Sequence, residues 1–316
     1  MDKQLIIITS ENLAESFVDF ISHKMKSGFD VPIIFVEALN KNPDKIKEYI
    51  KNKYAETKKP FYVLLGGDLA HVPALEEIYR TSGKRYPDNK YAIADDNKTW
   101  MCSIGRLPGK DFNEMKGLCD RIINYENIKD FQYKSSMLTI AATDPNTVFL
   151  SGLIPQLKGI SNIKYLKKED YKTDLGNFKN TIQSNLPNYK IINYNGHGGS
   201  TSWKLNSGLS LLGTDLPSFN IAPHILSWAC STANISLSNN FGINFIQKGA
   251  ISFLGACAMT LGPSNRDMCK AILCEYIKAT CPDTLGELYF RVLSKYGIIG
   301  ESMKYMLLGD PTLKIR

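Results

Sequence analysis

Two residues of this 316-residue chain, His197 and Cys230, have the types and the settings to do chemistry together. The run of branched residues from Ile191 passes through Tyr194 and Asn195 directly into Gly196-His197-Gly198-Gly199. Such a run predicts a strand that ends in glycines, so His197 is expected at the carboxyl end of a strand, where α/β proteins keep their sites. The glycines let backbone approach a ligand closely and can offer bare N–H groups to a developing oxyanion. The next apolar run, from Pro223 to Ala229, ends at Cys230 and gives way to the small polar residues Ser231 and Thr232. Two adjacent parallel strands would bring both side chains to one edge of a sheet. A free thiol, with a pKa of about 8.5, needs a neighbouring imidazole to raise its thiolate fraction. His197 could take the thiol proton and return it to a leaving amine.

Plainer readings exist for each residue alone. Glycines after a strand are common turn chemistry, and a lone cysteine is most often a small buried hydrophobe. It is the pair that favours chemistry. The glycines of this segment do not follow the dinucleotide-binding spacing, and no phosphate-binding loop motif occurs in the chain. His23 and His71 lie in the first half, and His224 stands at the opposite end of the strand leading to Cys230.

Around these residues, short apolar runs alternate with longer amphipathic stretches, the βαβα pattern of a mostly parallel sheet flanked by helices. Strands are predicted near 5–9, 32–36, 61–65, 101–104, 137–142, 163–166, 190–194, 225–228 and 250–254. Helices are predicted near 12–25, 43–53, 112–125, 178–184, 240–247, 266–278 and 284–295. A helix ending near Asp130 and a new strand at Met137 suggest two α/β units, 1–130 and 131–316, with the chemistry in the second.

Hydrophobic residues at 43% and charged residues at 22% are ordinary for a globular protein. The net charge of +7 comes from lysines spread along the chain, which predicts a solvated surface rather than a nucleic-acid stripe. No apolar stretch reaches the ~18 residues of a membrane span, and none at the start reads as an export signal. Seven cysteines are an odd number; with no export signal, a reducing, cytoplasmic setting is the expectation. Cys269, Cys274 and Cys281 do not follow a zinc-site spacing and are expected to pack between helices.

Taken with their neighbours, these segments resemble the gingipain family of cysteine peptidases, within the caspase-like clan. Asn193-Tyr194, Gly196-His197-Gly198, Thr201, Trp203 and Ala229-Cys230 resemble its catalytic core. Leu64-Leu65-Gly66-Gly67-Asp68 with Val72-Pro73, Ile104-Gly105-Arg106-Leu107 with Tyr125-Glu126, and Gly309-Asp310-Pro311-Thr312-Leu313 resemble further family segments, in family order. The resemblance implies a caspase-like α/β fold of two subdomains and peptide-bond cleavage through an acyl-enzyme. Cys230 would be the nucleophile and His197 the acid/base, with the backbone N–H groups of Gly198 and Cys230 as oxyanion hole. Asp144, at the end of the strand opening the second subdomain, would orient His197; as a plain residue it would be a turn aspartate before Pro145. Trp203, Ser227 and Trp228 are expected to line the substrate site. Arginine-specific relatives carry an acid soon after the orienting carboxylate, and Pro145 to Ser151 holds none, which puts a basic P1 residue in doubt. No cofactor is required, though relatives suggest structural calcium. Expected partners are protein or peptide substrates and a regulatory protein. An intracellular processing role, a silent scaffold and acyl transfer to an amine are all compatible with this pattern.

Overall fold

The computed structural model describes residues 2–94, 99–128, 136–278, 280–296 and 299–315. Its strands are β1 (Leu5–Thr9), β2 (Ile33–Phe35), β3 (Phe61–Gly66), β4 (Glu77–Tyr79), β5 (Gly83–Arg85), β6 (Cys102–Leu107), β7 (Met137–Ala141), β8 (Ile163–Lys167), β9 (Ile191–Asn195), β10 (His197–Gly199), β11 (Ser202–Lys204), β12 (Ser210–Leu212), β13 (His224–Trp228), β14 (Ser252–Ala256) and β15 (Tyr305–Leu308). The helices are α1 (Val18–Lys26), α2 (Pro43–Thr57), α3 (Asn89–Ala92), α4 (Phe112–Glu126), α5 (Asp144–Leu153), α6 (Leu175–Asn185), α7 (Phe241–Gln247), α8 (Gly262–Tyr276), α9 (Leu285–Tyr296) and α10 (Ile299–Ser302).

β1, β3, β6, β7, β9, β13 and β14 are buried along their whole length, which is why they read as continuous apolar runs rather than alternating ones. They belong to a ten-stranded sheet of order β2-β1-β3-β6-β15-β14-β13-β9-β7-β8. All neighbours in it are parallel except β14 and β15. That antiparallel step reverses direction between the halves, so the strands of the first half end at the edge opposite to the carboxyl ends of β13 and β9. The expected boundary between 130 and 131 lies outside the described residues; the sheet itself continues through β15 from one half to the other.

Alternate side chains of β7, β9 and β13 enter different cores. Met137, Ala141, Ile191, Leu226 and Trp228 pack with α5, α8 and α9. Leu138, Ile140, Tyr194 and Ile225 pack with α6 and α7.

Buried charge pins the frame. Arg106, on β6, is fully buried and makes a two-pronged bond to Asp88 at 2.8 and 2.7 Å, while its Nη1 donates to the carbonyls of Gly67 and Val72. Lys24 of α1 meets Glu126 at the end of α4 at 2.8 Å and Asp310, just after β15, at 2.7 Å. His23 reaches the same Glu126 carboxylate at 2.8 Å.

Candidate active site

In the pairing of β9 with β13, Asn195 stands opposite Trp228. His197 and Cys230 therefore each lie two residues past a matched position, at the same edge of the sheet. Gly196 N–H continues the pairing, donating to Trp228 O at 3.4 Å. Gly198 then makes the close approach that the glycines allow. A Cβ on it would fall 2.9 Å from Ala229 Cβ, the Cys230 carbonyl oxygen and Thr232 Cγ2. Only a residue without a side chain lets the histidine loop touch the cysteine turn in this way. Gly198→Ala is accordingly expected to lower kcat/KM roughly 10- to 100-fold by parting imidazole and thiol. Steady-state kinetics with a melting curve as control would check this.

Both loops are held from beneath. β10, β11 and β12 form a small antiparallel ribbon, with Gly198 opposite Trp203. The single Tyr194 O–H is shared between the carbonyl oxygens of His197 and Lys204, each 2.9 Å from Oη, and the Tyr194 ring stacks on Trp203 with centroids 4.2 Å apart. Trp203 Nε1–H donates to Ser227 Oγ at 2.9 Å, and Ser227 Oγ bonds Thr232 Oγ1 at 3.0 Å. Trp228 Nε1–H donates to Asn193 Oδ1 at 2.8 Å. Trp203, Ser227 and Trp228 are at most 1% exposed. This corrects the expectation that they line the substrate site: they are core residues that fix the loops, the two indoles drawn inside by their apolar bulk and Ser227 by its hydrogen bonds to Trp203 and Thr232.

Cys230 itself is partly buried and His197 exposed. Ser231 adopts the left-handed conformation, φ 60°, turning the chain sharply after the cysteine. Among the described residues no group accepts a hydrogen bond from the Cys230 N–H, so that donor is free to meet an oxyanion. The thiol faces Thr260, beyond β14, whose N–H donates to Sγ at 3.4 Å. Thr260 Oγ1 accepts from Asn265 Nδ2 at 3.0 Å, and the Tyr305 hydroxyl donates to Asn265 Oδ1 at 2.7 Å. Nothing in the residues around Thr260 marks it by type or spacing, although its place beyond the next parallel strand is the kind of position where α/β sites lie. No hydrogen bond joins Cys230 Sγ to His197 among the described residues; such contacts commonly tighten only with substrate bound.

Asp144 opens α5, with Pro145 in the first turn, where proline is favoured. This helix replaces the turn that a plain reading of Asp144-Pro145 suggested. Asp144 is exposed and shares with His197, Lys168, Lys204 and Asn206 the walls of an open cavity of about 500 Å³. Carboxylate and imidazole thus face one space without being bonded to each other.

The other candidates for acid/base or thiol chemistry stand elsewhere. His224 is buried between Tyr125 Oη and Ser252 Oγ, and burial pushes its pKa well down. His71 bonds Asp68 beyond β3, at the opposite edge. Burial pushes the thiols of Cys102 and Cys119 up, and those of Cys257 and Cys269 to about 12. All seven cysteines are free. Among the described residues no three His, Cys, Asp or Glu side chains gather as a metal cage.

The large, mostly parallel sheet flanked by helices is the caspase-like fold of gingipain R, and solved structures share it. The crystal structure of the Arg-specific cysteine proteinase gingipain R superposes with a TM-score of 0.79 at 21% identity, over 100% of this chain and 78% of that one. The complex of the pro- and mature domains of RgpB from Porphyromonas gingivalis matches with a TM-score of 0.79 at 21% identity, over 99% and 80% of the chains. The chain belongs to peptidase family C25, whose model matches residues 1–316. In sequence it is 24% identical to gingipain R2 of Porphyromonas gingivalis over 350 residues, 99% of this chain and 46% of that protein. Gingipain R1 of the same species is likewise 24% identical, with 34% of its length covered. The chain thus spans less than half the length of these relatives.

Proposed function

We propose that this protein is a cysteine endopeptidase in which Cys230 attacks the scissile carbonyl and His197 moves the proton. The observation that carries the reading is the shared sheet edge, where Gly198 presses the histidine loop onto the cysteine turn. His197 accepts the thiol proton as sulfur bonds to the carbonyl carbon. The oxygen, now negative, is met by the Cys230 and Gly198 N–H groups. Collapse of this adduct breaks the C–N bond, and the imidazolium hands its proton to the departing amine, leaving a thioester on Cys230. Water, deprotonated by His197, then releases the acid and restores the thiol. No cofactor enters these steps.

Asp144 supports His197 across the shared cavity by stabilising the imidazolium. Because it is exposed and unbonded to the ring, Asp144→Asn is expected to lower kcat only about tenfold, with KM little changed. A pH–rate profile of the variant would check this.

Substrates are proteins or peptides. By analogy with the RgpB pro-domain complex, a protein partner covering the cleft would regulate it. A reducing, cytoplasmic setting would suit seven unpaired cysteines, and a processing role belongs to that setting as part of the same proposal. The test is digestion of a proteome-derived peptide library, with an added amine nucleophile in a second arm. New carboxyl termini bear out hydrolysis. Products joined to the amine in place of acids would show acyl transfer, and unchanged peptides would refute both.

A further inference from the structure

Resting on the peptidase reading, we propose that the leaving half of the substrate carries a carboxylate within two residues of the scissile bond, and that Lys168 and Lys204 select it from the cavity beside His197. That cavity is open, measures about 500 Å³, and has His197, Asp144, Lys168, Lys204 and Asn206 in its walls. The sheet sets its position. The strand order β14-β13-β9-β7-β8 places Thr260, Cys230, His197, Asp144 and Lys168, each beyond the end of its strand, in a row along one edge. Lys167 and Asn195 both stand level with Ala141 of β7, so Lys168 lies one residue past that level and His197 two. Lys204 comes from the ribbon, where it stands directly opposite His197 in the pairing of β10 with β11. Side chains opposite each other in an antiparallel pair share a face, so the Lys204 stem and the imidazole lie on one side of the ribbon.

The row also assigns the cavity to one half of the substrate. His197 hands its proton to the departing nitrogen, so the chain attached to that nitrogen leaves past the imidazole. Thr260, whose N–H contacts Cys230 Sγ, stands on the opposite side of the nucleophile, beyond β14. The first residues behind the cut therefore meet the cavity walls.

Those walls suit an anion. The nearby Lys167 and Lys179 are engaged, with Asp170 at 3.4 Å and Asp215 at 2.7 Å. Among the described residues no carboxylate pairs with Lys168 or Lys204, the first half-buried and the second exposed. Asn206 Oδ1 accepts from the Gly208 and Leu209 N–H groups, both at 2.7 Å, which leaves its NH2 as a further donor. Asp144 is the one acid among the described wall residues, set against two ammonium groups and, once the thiol proton has moved, an imidazolium. A carboxylate on the leaving peptide gains from this excess of positive charge, while a lysine or arginine there is repelled by it. Because the cavity is open, each pair has the modest strength of an exposed one and is screened by salt.

The test uses peptides that share the acyl half of a sequence cleaved in the library digest. They carry Glu, Ala or Lys at the first or second position behind the cut, with amidated carboxyl termini. A further pair ends two residues behind the cut, in a free carboxylate or an amide. Cleavage is followed by chromatography. At one of the two positions kcat/KM for Glu is expected to exceed that for Ala about 3- to 20-fold, with Lys below Ala and the preference shrinking at high salt. A gain confined to the peptide with the free terminus supports the same lysines with a terminal carboxylate as their ligand. Lys168→Glu combined with Lys204→Glu is expected to invert the order, Lys then exceeding Glu, with a melting curve recorded for the variant. Equal rates throughout, Lys fastest in the parent, or a Glu preference that survives the double variant overturns the inference and leaves the peptidase reading standing. No peptide cleaved, in the library or in this series, overturns both. Should the double variant not fold, the order of rates and its salt dependence in the parent decide.

Discussion

Cys230→Ala is expected to lower kcat/KM by about 10⁴-fold or more while leaving the melting temperature close to that of the parent. Cleavage as proposed has one nucleophile, and the remaining thiols are buried and shifted upward, engaged in helix packing, or remote from the site, so none can substitute. The fold should survive because Cys230 is only partly buried and, among the described residues, its thiol hydrogen-bonds only to Thr260. His197→Ala should cost a similar factor, and the double variant little more than either, because thiol and imidazole act as one unit. Progress curves on a fluorogenic peptide, with circular dichroism for each variant, would measure this. Retained cleavage in Cys230→Ala would refute the assignment.

The second large effect is on stability. Glu126 has a side chain with no solvent exposure that holds Lys24 and His23 and accepts the Lys314 N–H at 3.0 Å. Glu126→Gln removes the charge and leaves Lys24 buried with Asp310 alone. The expected cost is about 3 kcal/mol in urea unfolding at neutral pH, within the range for breaking a buried pair. Although burial alone would raise its pKa, the ammonium of Lys24 and the hydrogen bonds from His23, Lys24 and Lys314 hold the Glu126 carboxyl down, to about 2 from an ordinary 4.5. A carboxylate with a depressed folded-state pKa adds stability above its unfolded value and loses it as pH falls toward the folded one. The parent should therefore lose stability between about pH 4.5 and 2, and Glu126→Gln should show a flatter profile there. Parallel profiles would mean that Glu126 does not contribute in this way.

The two substitutions separate what was legible in the chain from what was not. Branched runs that bury both faces announce themselves, and so β1 and β3 lie where the composition put them. β15 is only four residues long, and its antiparallel place between β6 and β14 depends on partners far away in the chain. α5 was missed because Asp144-Pro145 reads as a turn, yet the same pair suits the first turn of a helix.

At the site, the glycines around His197 and the strand ending near Cys230 were readable because such backbone needs particular residue types. Trp203 and Trp228 were misplaced at the substrate because sequence does not show which face of a strand a large ring enters; both are in the core. Thr260 carries no special spacing, and only the folded sheet brings it to the thiol. The Arg106, Glu126 and Asp310 segments, which carried much of the family likeness, are the buried ion pairs of the frame rather than parts of the site. Motif strength there reports the strict geometry of buried charge, not nearness to chemistry.

The central claim is that the acyl group of a cleaved substrate rests on Cys230. Acid-quenched mass spectrometry of the enzyme turning over a slow ester substrate, followed by peptide mapping, tests this most directly. The account predicts an acyl mass increment confined to the peptide containing Cys230 and lost in Cys230→Ala. An increment on another residue, or turnover that proceeds in Cys230→Ala, would contradict it.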